Sequence, residues 1–151
     1  MKYLADIAAF DANKNLVLIV QIKNKVGTNT DWAAKTRRNL ITYGNLPEAP
    51  FFLLALPDRF YLWKNEFLPD EIPPTYEVDP SPFLKSYFER TNTQPDKITP
   101  HGIELLLLSW LQSLVFFQQT QGLSESADKW LFESGLFTAM QGGTVETDVE
   151  L

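Results

Sequence analysis

The sequence predicts an α/β domain: a mixed β-sheet flanked by helices, with an added helical region towards the C-terminus. Three observations carry this. Two apolar runs, residues 3–10 and 16–23, flank Asp11-Ala12-Asn13-Lys14-Asn15, a cluster of turn formers. A helix-periodic stretch over residues 31–43 separates that hairpin from two further apolar runs, residues 50–56 and 60–63. Beyond residue 80 the patterning is mostly helical.

In the hairpin, the run 16–23 is rich in β-branched residues and too short for a typical helix, so it reads as a buried strand. Each run holds polar intrusions that burial does not explain: Asp6 in the first, Gln21 and Lys23 in the second. Alternation puts Gln21 and Lys23 on one face with Val17 and Ile19. With Ala12 to Asn15 as the loop, Asp6 pairs directly with Gln21; a different loop length shifts the partner.

Asn29 or Thr30 caps the following helix, which stops at Gly44. Prolines bound the run 50–56, and Asp58-Arg59 turns it into the run 60–63. Residues 65–80 are proline-rich and acidic and read as a surface loop, with a short strand at 75–78. A helix over 82–90 and a polar connection follow. Thr99-Pro100 starts a helix over 100–120, apolar around most of its circumference. Another helix is expected over 124–140, ending at Gly142-Gly143. The tail 144–151 forms either an edge strand or a frayed acidic end. The whole reads as a single domain, 1–151, with a core in 1–64, a loop in 65–80 and a helical part in 81–143.

Composition bounds the chemistry. The 151 residues suffice for one real core. There is no cysteine, which excludes disulfides and thiolate metal sites. No signal peptide and no membrane span is read, so a cytoplasmic location without membrane contact is expected. The net charge of −6 is uneven. Residues 1–64 hold nine basic and five acidic side chains, +4; residues 65–151 hold four and fourteen, −10. Any phosphate-binding surface belongs in the first half, and charge alone makes nucleic-acid binding weak. His101, the single histidine, sits in a helix first turn and reads as structural. Phe51, Phe60, Tyr61 and Trp63 read as strand core, not a base-stacking platform.

Asp6 on one strand and Gln21-Ile22-Lys23 on the next resemble the signature of the PD-(D/E)XK nuclease superfamily, the restriction-endonuclease-like fold. Strand, strand, helix, strand, strand over residues 3–64 is similar to the middle of that core. The chain departs from the pattern in three ways. Ala5 stands where a Pro often precedes the Asp, and Gln21 stands for the usual acid. The family's leading helix, often carrying an acid, and its first strand have no counterpart before Asp6.

The resemblance implies Asp6, Gln21 and Lys23 as catalytic residues. A magnesium or manganese ion would be held by Asp6, the Gln21 amide oxygen and the Ile22 carbonyl. Lys25, Lys35 and Arg38 would hold phosphates. Asn39 and Tyr43, four residues apart, would match an accessory Gln and Tyr of related nucleases. A neutral ligand and the missing helix imply weak or lost hydrolysis. The alternative is a non-catalytic nuclease-fold module for binding or assembly as a homodimer, through surplus apolar surface on the helix 100–120. From the residues alone, Asp6 and Lys23 also fit an ion pair at a sheet end.

Overall fold

The computed structural model describes residues 4–44, 46–66, 68–116 and 129–150. Turn chemistry sets the first hairpin. Asp11 Oδ1 accepts from the Asn13 and Asn15 N–H groups at 2.8 and 2.9 Å. These bonds, the one from Asn15 foremost, hold the carboxyl below its ordinary range. The turn joins β1 (Leu4–Phe10) to β2 (Leu16–Ile22). Asn29 Oδ1 accepts the Trp32 N–H at 2.8 Å and so caps α1 (Thr30–Gly44). Then come β3 (Phe51–Ala55), β4 (Phe60–Lys64) and β5 (Tyr76–Val78). The helices α2 (Ser81–Thr91), α3 (Pro100–Phe116), α4 (Lys129–Glu133) and α5 (Leu136–Met140) follow, and β6 (Thr144–Glu150) closes the described chain.

The strands form one mixed sheet, ordered β5-β4-β3-β2-β1-β6. Only β2 and β3 are parallel, and α1 makes the crossover that a parallel pair requires. The tail is therefore an edge strand, antiparallel to β1 from Leu4↔Glu150 to Phe10↔Thr144.

Two cores lie on the sheet's two faces. Ile7, Leu18, Val20, Leu53 and Leu62 pack with Leu107, Leu111 and Leu114 of α3 and with α4 and α5. Ile19, Phe52, Leu54, Tyr61 and Trp63 pack with Ala33 of α1. The central strands β2 and β3 are buried almost throughout, as strands covered on both faces are.

Three local features differ from the sequence expectation. The register shifts between Ala9 and Phe10: Ala9 faces Leu18, whereas Phe10 faces Leu16. This bulge sends Val17 into the core under α3, not onto the Ile19 side. The expected helix 124–140 is two short helices where described, α4 and α5, and its first five residues lie outside the described residues. The break is chemical. Gly135 adopts φ +85°, and the buried Ser134 Oγ accepts the Leu136 N–H at 3.2 Å.

The helix 100–120 is described to Phe116 and is one-faced. Thr99 Oγ1 caps it by accepting the Gly102 N–H at 3.0 Å. Ile103, Leu107, Trp110, Leu111 and Leu114 are buried, while His101, Leu105, Ser109 and Gln112 are exposed. Among the described residues, no helix is long and apolar enough to cross a membrane.

Candidate functional site

The site is built where β1 and β2 part. Their ladder includes Ile7↔Val20, which puts Asp6 opposite Gln21. At that position side chains substitute for ladder bonds. The Ile22 N–H donates to Asp6 Oδ2 at 2.8 Å, and the Asp6 N–H donates to Gln21 Oε1 at 3.3 Å. Asp6 is half-buried and Gln21 is buried. Lys23 lies just past the strand end and is exposed. Its N–H donates to the Ala55 carbonyl at 3.0 Å, so the chain stays tied to β3 at this residue. Asp6 and Lys23 form no ion pair among the described residues; the carboxylate is held by the Ile22 amide instead.

The structure adds acids that sequence reasoning passed over. Asn24 Nδ2 donates to the Ile98 carbonyl at 3.1 Å and ties the end of β2 to the approach to α3. Glu104, one turn into α3, has its carboxyl pushed up, first by burial and then by the carboxylates of Asp148 and Asp6; His101 opposes this. Acids from α3, β1 and β6 thus share one electrostatic neighbourhood. Asp148 falls opposite Asp6, between the pairs Ala5↔Val149 and Ile7↔Thr147, and adopts φ +50°. Asp tolerates that left-handed backbone better than most side chains. A signal for Glu104 was present: it is the sole charged side chain in residues 103–116.

A carboxylic acid with a raised folded-state pKa carries a cost above that pKa and none below its unfolded value. Glu104→Gln therefore raises stability at neutral pH. For a partly exposed group among like charges the gain is of the order of 0.5 kcal/mol. Denaturant unfolding should show it shrinking to nothing as the pH falls below the ordinary glutamate value of 4.5. A destabilised variant at pH 7 would contradict this electrostatic arrangement.

The donor set bears on the expected metal. Among the described residues, no three His, Cys, Asp or Glu side chains converge closely enough to hold an ion. Asp6 and the Gln21 amide oxygen offer one charged and one neutral ligand. Magnesium binds through one or two carboxylates and keeps several waters, so this pair suits a weakly held, largely hydrated ion.

The cations expected at phosphates are spread along α1 and its approach. Lys25 Nζ lies 5.3 Å from the centre of the Trp32 ring, a cation–π contact. Lys35 is exposed. Arg38 is engaged by Glu71, with Nη1 2.8 Å from Oε1. Asn39 is exposed, its Oδ1 3.4 Å from Arg38 Nη2. Tyr43 is 82% exposed. No hydrogen bond or ion pair joins Asn39 or Tyr43 to Asp6 or Lys23 among the described residues. No protein-family model matches the chain, and no curated protein or solved structure matches it.

Proposed function

We propose that the chain is a PD-(D/E)XK-type domain that binds nucleic-acid phosphates, with metal-dependent phosphodiester hydrolysis weak or lost. The observation that carries it is the meeting of Asp6 and Gln21 across β1 and β2, with Lys23 directly beyond. Glu104 supports it as a further acid that shares the electrostatic neighbourhood of Asp6.

In this reading Asp6, the Gln21 amide and the Ile22 carbonyl hold magnesium or manganese. The ion, when bound, polarises a phosphate and lowers the pKa of water. Lys23 presents its ammonium to the charge that develops on the phosphoryl oxygens. Lys25, Lys35 and Arg38 contact flanking phosphates. Hydrolysis is weak because Gln21 contributes no charge and its oxygen already accepts the Asp6 N–H.

The test is cleavage of plasmid DNA and of RNA with magnesium or manganese. Asp6→Ala and Lys23→Ala should each lower turnover by about 100-fold or more, since each removes a group acting on the transition state. Gln21→Glu should raise both metal affinity and rate. Turnover that survives Asp6→Ala sinks the site. Phosphate binding with no turnover in any variant leaves the non-catalytic module.

The homodimer belongs to that second reading, and Leu105, 52% exposed on α3, is the side chain that tests it. Light scattering at micromolar concentration should give twice the chain mass, and Leu105→Glu should return the chain mass. A wild-type monomer under those conditions removes the dimer.

A further inference from the structure

The segment between β4 and β5 carries Glu66, Asp70 and Glu71, and it is bound both to β4 and to α1, whose Lys35, Arg37 and Arg38 outnumber its one acid, Asp31. Four of its attachments among the described residues are of two kinds. Three donate to main-chain carbonyls. Arg37 Nη2 donates to Glu66 O at 2.6 Å and Nη1 to Leu68 O at 3.1 Å; Trp63 Nε1 donates to Ile72 O at 2.8 Å. The fourth is the Arg38–Glu71 ion pair, whose side chains are 44% and 42% exposed. The first three fix the segment as a strap between α1 and β4. The fourth can open while they remain closed.

We propose that Glu71 is a built-in competitor for the phosphate that Arg38 would bind. This rests on the reading of α1 as a phosphate-binding element, and it names a regulation of that surface. A guanidinium can engage a phosphate in a fork through two nitrogens; here Glu71 Oε1 takes Nη1, so a forked phosphate contact that uses Nη1 must displace Glu71. A half-exposed ion pair is weak and is screened by salt, so exchange costs little. The bonds from Arg37 and Trp63, on either side of Glu71, tether its carboxylate within reach of Arg38. It therefore competes at the high effective concentration of a tethered ligand. Nucleic acid gains Arg38 by displacing one carboxylate, not by lifting the strap.

Binding of a short labelled DNA duplex, read by fluorescence anisotropy at low salt without divalent ion, tests this. Glu71→Gln should tighten binding about two- to fivefold, the factor that corresponds to losing a weak surface pair. Glu133→Gln makes the same change in net charge at the Lys129–Glu133 pair on α4, whose Nζ–Oε1 distance is 3.4 Å. It should leave affinity near wild type. The Arg38→Gln/Glu71→Gln double variant should lose the gain.

Equal gains from Glu71→Gln and Glu133→Gln would overturn the proposal, as would a double variant that keeps the gain. Cleavage that depends on Asp6, with no gain from Glu71→Gln, removes the strap's role alone. A gain from Glu71→Gln with no cleavage supports the strap and leaves the site non-catalytic. Failure of every variant to bind removes both the strap's role and the phosphate-binding surface.

Discussion

Arg37→Leu should lower the stability of the folded chain by about 3 kcal/mol, the cost typical of removing one partner from a buried, hydrogen-bonded charge. Arg37 is fully buried, with 0% of its surface exposed. Its guanidinium carbon stands 5.6 Å from the centre of the Trp63 ring, and its two terminal nitrogens donate to the Glu66 and Leu68 carbonyls. Burial pulls its pKa down, while Glu66 and Asp70 push it back up. Leucine supplies apolar volume but no donor, so both carbonyls lose their partner and the strap loses its anchor. Arg37→Lys should not restore stability, because one ammonium cannot reproduce the planar fork or its contact with Trp63. Denaturant midpoints measure both variants, and a loss under about 1 kcal/mol would mean that the strap is held by other contacts.

Arg37 also shows where sequence reading stops. A charged side chain in an amphipathic helix reads as solvent-facing, and α1 has other charges that are exposed. What buries Arg37 is a proline-rich segment without periodicity, whose path no local pattern specifies. The strands were legible for the opposite reason. Apolar runs bounded by turn formers are local signals, and the 11–15 turn makes β1 and β2 an antiparallel hairpin. A loop over Ala12 to Asn15 would pair Asp6 with Gln21 directly; in the structure the turn pairs Phe10 with Leu16, and the bulge beyond it shifts the register by one, so that Asp6 still comes opposite Gln21.

The bulge at Val17 was not legible, because a single inserted residue leaves composition and run length unchanged. Nor was the α4–α5 break: helical spacing continues across Gly135, and the stop depends on a left-handed backbone and a buried serine. Glu104 lay in plain view as one acid in an apolar helix. Its neighbours Asp6 and Asp148 come from strands about 100 residues before it and 44 after it, and only the closed sheet brings them together.

Gly143→Ala should cost about 2–3 kcal/mol or more, in the range of overpacked sites that cannot relax by side-chain rotation. Gly143 lies between α5 and β6, and its N–H donates to the Met140 carbonyl at 3.1 Å. A Cβ added there would overlap the Phe10 carbonyl oxygen and stand 3.1 Å from the Asp11 carbonyl carbon. Both obstacles are main chain, so β6 itself must move away from β1. The first pair lost is Phe10↔Thr144, and the strain then runs along the ladder toward Asp148 opposite Asp6. Amide exchange at Thr144 and Val145 should therefore quicken more than exchange in β3, which is central and separated from β6 by β1 and β2. Gly44→Ala is the matched control, since a Cβ at that helix end meets nothing within 4 Å. It should be neutral or stabilising by a few tenths of a kcal/mol. Equal stabilities for the two alanine variants would show that the start of β6 is not held against β1, and the placement of Asp148 beside the site would fall with it.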